Sequence, residues 1–141
     1  MGLVWREQLS VGNDVIDTDH RHLIDIINHV EQCLDSRNRN ELSVALDSLS
    51  RYSREHFARE ERIARAAGYK QVPDLSHAHE ALIGQLGQLK SEIAEMGQAW
   101  SPTVAENFTK LLRGWLIDHV IKEDLLMKPT LQKRSPLFDP R

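Results

Sequence analysis

Apolar residues recur along most of the chain every three or four positions, the spacing of a helix with one buried face. The first such stripe runs His20, Leu23, Ile24, Ile27, Val30, Leu34. Its helix is expected to begin at Asp17-Thr18-Asp19, where short oxygen-bearing side chains can cap it, and to stop near Ser36–Asn40. A second helix is expected from about Asn40 to Ala67, with Gly68 as its stop; its stripe is Leu42, Leu46, Leu49, Ser53, His56, Glu60, Ile63 and Ala67. After a loop at Tyr69–Pro73, Pro73-Asp74 opens a third helix with the stripe Leu75, His79, Leu82, Leu86, Leu89, Ile93, fading near Met96-Gly97. Ser101-Pro102 is a capping serine followed by a first-turn proline. It starts a fourth helix carrying Val104, Phe108, Leu111, Leu112, Trp115, Leu116, His119 and Met127, with Pro129 as its end.

No strand-like alternation and no low-complexity tract interrupts this pattern. Four helices joined by short loops bury their stripes only against one another, which predicts an all-α, antiparallel up-down-up-down four-helix bundle. Residues 1–16 read as an N-terminal arm, with Trp5, Leu9, Val11, Val15 and Ile16 as anchors and Gly12-Asn13-Asp14 as a turn. Residues 17–131 form the bundle. Residues 132–141 form a C-terminal tail, a surface segment or a linker.

Composition narrows the function classes. The chain has 141 residues and a net charge of −3, enough for one domain with a core and without a basic stripe for nucleic acid or an anionic membrane surface. Cys33 is the single cysteine and reads as a small buried apolar residue, so a reducing, cytoplasmic setting is the simplest expectation. There is no signal-peptide core and no apolar run of roughly 20 residues. The stripes account for one core, so a monomer is expected. The unusual feature is seven histidines, at 20, 22, 29, 56, 77, 79 and 119.

Several of these interrupt the apolar stripes. His56 and Glu60 lie four apart, on one helical face aimed inward. Burying such groups without partners is costly, and a metal ion is a partner for both. A lone pair of this kind is more often a hydrogen-bonded core pair. Here every helix contributes: His20 from the first, His56 and Glu60 from the second, His79 from the third, His119 and Asp124 from the fourth. Four imidazoles and two carboxylates without a thiolate suit iron, manganese or zinc, and a central glutamate can bridge two ions. His119 and Asp124 are five apart, about 140° around an ideal helix, so both reach the axis only if that helix lies deep. His22 and His29 flank their stripe, and His77 lies about 160° from His79, facing outward. Trp115 reads as core that also walls the site.

With those residues in view, the sequence resembles a bacterial hemerythrin from about Trp5 to Leu131. The matching pieces are Leu9-Ser10-Val11-Gly12 with Ile16-Asp17-Thr18-Asp19-His20, then His56-Phe57-Ala58-Arg59-Glu60-Glu61, Gly68-Tyr69, His79-Glu80-Ala81-Leu82, and His119-Val120-Ile121-Lys122-Glu123-Asp124. The resemblance implies two non-haem iron ions, oxo- or hydroxo-bridged when oxidised. It implies that His20 and His56 hold one, His79 and His119 the other, and Glu60 and Asp124 bridge them. It also implies binding of dioxygen or a similar small ligand such as azide, NO or peroxide.

There is one departure. The family pattern places a further histidine four residues before the one matching His79, and this chain has Leu75 there. His77 would substitute only through a distortion after Pro73. Loss of that imidazole implies weaker binding at the second position, a one-iron form or an added water ligand. The leading expectation is a non-enzymatic protein for oxygen sensing, storage or delivery. The alternatives are a redox-active, peroxidase- or oxidase-like site using the opening at Leu75, and a sensor module of a larger signalling protein. A metal-free bundle is the reading the inward histidines argue against most strongly.

Overall fold

The computed structural model describes residues 2–97 and 100–140; Met1 and Arg141, the outer bounds assigned to the arm and the tail, lie outside it. Three long helices come first: α1 (Asp14–Ser36), α2 (Arg39–Ala67) and α3 (Val72–Ala94). The fourth rod is composite. It starts as α4 (Pro102–Gly114), widens into a π-helical stretch at Trp115–Ile121, returns to α at Lys122–Asp124, tightens to 3₁₀ at Leu125–Met127 and closes with a short turn of helix at Lys128–Leu131. Together they form the four-helix bundle, all-helical among the described residues.

The helix starts have identifiable causes. Asn13 caps α1 by accepting from the Val15 and Ile16 amides, three residues earlier than the Asp17–Asp19 start expected from sequence. The acids there have other partners: Asp17 accepts from Ser10 Oγ (2.5 Å) and the Val11 amide (3.0 Å), pinning the arm to the helix. Asn38 caps α2, and Gly68 ends it at φ 87°, a left-handed position that glycine takes without a Cβ clash. Ser101 caps α4 through the Val104 amide, with Pro102 in the first turn. Pro129 does not end the fourth rod. It sits in the first turn of Lys128–Leu131, where a missing amide N–H costs no helical bond.

The core divides into two apolar clusters with a polar layer between them. The larger contains Leu23, Ile27, Leu49, Leu86, Leu112 and Leu116 among others, and is closed by Trp100 and Trp115, whose indole N–H groups donate to the Leu34 and Leu82 carbonyls (2.8 and 2.9 Å). The smaller closes the other end with Val11, Ile16, Ile63, Leu75, Met127 and Leu131. The tail packs there: Phe138 sits against the cluster, its carbonyl accepts from Asn13 Nδ2 (2.8 Å), and the Pro136 carbonyl accepts from the Asp14 amide (2.8 Å). Residues 132–140 therefore cap the end of α1 rather than extend away from the bundle.

The fourth stripe departs from the sequence expectation. Leu111 is 52% exposed, and the buried line is Leu112, Leu116, Val120, Asp124, every fourth residue. A four-residue repeat drifts by about 40° per turn around an ideal α-helix. The widened Trp115–Ile121 stretch absorbs that drift and delivers Asp124 to the axis.

Candidate metal centre

Five polar side chains form the layer between the two clusters, all nearly or fully buried: His20 from α1, His56 and Glu60 from α2, His79 from α3 and Asp124 from the fourth rod. Donor atoms of His20, His56, Glu60 and Asp124 all lie within 4.8 Å of one another. The two carboxylates stand between the His20–His56 pair and His79 and turn one oxygen to each side. Asp124 Oδ2 lies 2.7 Å from His20 Nε2 and 3.4 Å from His56 Nε2, while Glu60 Oε2 lies 2.9 Å from His56 Nε2. On the other side, Glu60 Oε1 lies 3.1 Å and Asp124 Oδ1 3.8 Å from His79 Nε2.

Behind the imidazoles stands a second layer that the sequence reading did not assign. His56 Nδ1 meets Asp19 Oδ2 at 3.0 Å. Asp19 in turn receives a two-pronged contact from Arg59 (both 2.9 Å) and the Tyr52 hydroxyl (2.7 Å). His79 Nδ1 meets Glu61 Oε2 at 2.8 Å, and its ring stacks on Phe57 with centroids 4.0 Å apart. A carboxylate on the far nitrogen fixes the tautomer and turns the near nitrogen's lone pair toward a metal. The signal was available: Asp19 lies one residue before His20, and Arg59 and Glu61 flank Glu60. Those acids read equally well as a helix cap and a solvated face, so only the fold reveals their partners.

Without a cation the layer must neutralise itself with protons. Burial opposes a charge on His56, but the Glu60 charge beside it and hydrogen bonds with Asp124 and Asp19 raise its pKa well above the usual imidazole value. His79, likewise against burial, is raised to about 10 by the Asp124 and Glu60 carboxylates that face it and by its hydrogen bond with Glu61. Burial and then the Asp124 charge push Glu60 up. Asp124, which burial alone would raise, is held well below the carboxylate range by Glu60 beside it, by hydrogen bonds with His20 and His56, and by the His79 ring facing it. Asp19 overcomes its burial in the same way through His56, Arg59 and Tyr52, and Tyr52 is pushed up to about 12 by burial and by its bond to Asp19.

Even so, Glu60 Oε2 forms no well-aligned hydrogen bond despite lying 2.9 Å from His56 Nε2, and Asp124 Oδ1 and His20 Nδ1 are buried with no hydrogen-bond partner among the described residues. Unsatisfied lone pairs at this depth are expensive unless something else binds them. A mixed nitrogen–oxygen donor set converging from four helices fits a divalent first-row ion.

The other sequence-predicted positions are placed differently. His119 is exposed and does not join the layer. It precedes Val120 on the buried line by one residue, so its side chain points off that line. It lies in a groove of about 420 Å³ between α3 and the fourth rod, beside Ala78, Ala81 and Leu82. His77 is exposed and supplies no substitute donor, as its angular offset from His79 implied. Leu75 is 1% exposed and belongs to the smaller apolar cluster. His22 and His29 are exposed, and Cys33 is buried.

A family model described as the hemerythrin HHE cation binding domain matches residues 11–131, a span that takes in every residue of this layer. The chain belongs to the hemerythrin family. It is 29% identical over 122 residues to a bacteriohemerythrin of Stenotrophomonas maltophilia and 30% identical to one of Pseudomonas aeruginosa, in each case covering 86% of this chain and 76% of the relative. A myohemerythrin of Riftia pachyptila is 23% identical over 128 residues. Among solved structures, wild-type hemerythrin superposes with a TM-score of 0.77 at 26% identity, covering 92% of this chain and 98% of that one. The span that this cation-binding family model matches is the bundle, and the His/Glu/Asp cluster lies at its centre.

Proposed function

We propose that this hemerythrin-family chain binds iron in the polar layer and takes up dioxygen there reversibly, for oxygen sensing, storage or delivery. The observation that carries the reading is the buried set His20, His56, Glu60 and Asp124, with lone pairs left over on both carboxylates. His20 and His56 would hold one iron and His79 the other, with Glu60 and Asp124 shared between them. Bound iron would supply the electrons and the open coordination that dioxygen requires.

The chain's own residues supply the rest. Asp19 and Glu61 hold their imidazoles in one orientation. The two apolar clusters, with Phe57 against the His56 and His79 rings, keep bulk water away, which protects bound gas from protonation and loss. Cation entry displaces the protons held on His56 and His79, so loading consumes base. We read the protein as cytoplasmic and monomeric. No described helix is long and apolar enough to cross a membrane.

A second reading, redox chemistry of the peroxidase or oxidase kind, is favoured by the thinner donor set around His79: Leu75 offers no lone pair and His119 stands outside. Both readings meet one experiment. Metal-free protein is loaded with ferrous iron without oxygen, iron per chain is counted, and visible spectra are followed as air is admitted and removed. Colour that appears with air and fades on its removal supports reversible uptake. Irreversible oxidation to the ferric state supports the redox reading, and absence of iron contradicts both.

A further inference from the structure

The two halves of the layer are built unequally, and the inequality has a chemical consequence. The His20–His56 half is assembled. Two imidazoles and two carboxylates already converge within 4.8 Å, fully buried, and His56 is braced by an Asp19 that is itself held by Arg59 and Tyr52. The His79 half has one imidazole and the far oxygens of the same carboxylates, at 3.1 and 3.8 Å. One helical turn before His79, on the same face, stands Leu75, a hydrocarbon with 1% of its surface exposed. The imidazole on the fourth rod that borders this half, His119, lies outside in the groove beside Ala78, the residue next to His79.

Resting on the reading that the layer holds metal, we infer that the centre loads in two unequal steps: the His20–His56 position is a preassembled, retentive site for a divalent first-row cation, and the His79 position is an exchangeable one that closes only when His119 turns inward. Four converging donors need little reorganisation, whereas three donors must wait for a fourth. Loss of an outer-layer partner alone costs 10–100-fold in metal affinity, so a missing ligand costs at least as much. The second cation is therefore held on the order of 100-fold more weakly than the first.

The fold supplies a means of closing. His119 sits in the widened stretch Trp115–Ile121, five residues before Asp124. Such stretches are uncommon within α-helices and concentrate at functional positions. On the α3 side the groove is lined by the small side chains Ala78 and Ala81 together with Leu82 and Gln85, so part of the wall facing His119 is only methyl groups. In the widened turn residues five apart come closer to one face than the 140° of a regular α-helix, so an inward turn of the His119 side chain from within that stretch is the movement that closes the position. The second position then acts as a device whose occupancy follows the supply of free cation while the first stays filled.

The test uses the whole chain, stripped by chelator and titrated without oxygen with zinc(II), which keeps histidine resonances visible by NMR, and separately with ferrous iron. The expected result is one equivalent that survives desalting and a second that is lost, with the His119 ring signal moving during the second equivalent alone. His119→Ala, at an exposed position, should leave the first equivalent untouched and weaken the second at least tenfold further. Leu75→His should convert the second equivalent into a retained one. Two equivalents held equally by the native chain, movement of the His119 signal with the first, loss of the first in His119→Ala, or a folded Leu75→His chain that still sheds the second would each overturn the inference and leave the proposed function standing. A chain that takes up no cation at all would overturn the proposed function itself.

Discussion

The His20–His56 half and the His79 half share two carboxylates and differ in everything behind them. His56 is backed by an Asp19 that is nearly buried and clamped by a guanidinium and a phenol, whereas His79 is backed by a Glu61 whose side chain is 23% exposed and has no such clamp. On one side α1 and α2 meet along well-paired stripes. On the other, Leu75 presents hydrocarbon one turn before His79, and His119 lies exposed on the widened fourth rod. The comparison teaches that a symmetric-looking ligand list does not make a symmetric centre: the backing groups and helix register decide which half is preassembled.

The largest effect should come from the group both halves share. Glu60→Ala removes an oxygen donor from each, and metal analysis after desalting is expected to find no retained cation. Retention at the native level would mean the halves are not joined through Glu60. Its thermal stability should also stop responding to added metal, because only binding to the folded state stabilises.

Next comes the clamp on the better half. Asp19→Asn keeps the shape but gives up the charge that orients His56, and affinity for the first equivalent should fall 10–100-fold. Glu61→Gln should matter less and act on the second equivalent alone. If Glu61→Gln weakens the first equivalent more than Asp19→Asn does, the assignment of the two halves is inverted.

The proton balance sharpens the contrast further. In metal-free protein the His79 pKa is raised from about 6.5 in the unfolded chain to about 10 in the folded one. Its contribution to stability is then complete below pH 6.5 and is lost as pH climbs from there toward 10. Metal-free protein is expected to melt at progressively lower temperature across that window, and metal-loaded protein, whose imidazoles are already neutral, much less so. Parallel melting curves for the two forms would show that protons do not stand in for the cation.

The smallest effect is at the surface. His77→Ala, at an exposed position, should change stability by no more than about 0.5 kcal/mol and leave both equivalents as they are. A lost equivalent there would revive His77 as a donor.

Much of this was legible before the fold was known, and the limits have physical causes. The stripes of α1, α2 and α3 named the core and placed His20, His56, Glu60 and His79 at one depth, because a steady repeat of three and four survives in any straight helix. The fourth rod broke the method. Its inward line repeats every four residues, which a uniform α-helix cannot present on one face, so an ideal helical wheel put Leu111 and His119 inside when both are exposed. The roles of Asp19, Arg59, Tyr52 and Glu61 depend on contacts between α1 and α2 and between α2 and α3, to which spacing within one helix is blind. The tail was ambiguous for the same reason: Phe138 and Pro136 have meaning only against the end of α1.

The central claim is that a cation lies in the buried layer, nearest the His20–His56 half. Crystals grown without oxygen from iron-loaded protein, measured on both sides of the iron absorption edge, give the most direct test. The strongest anomalous peak is predicted between the His20 and His56 rings and the Glu60 and Asp124 carboxylates, with any peak beside His79 weaker. No peak within the bundle, or iron found only on exposed groups such as His119, would contradict it.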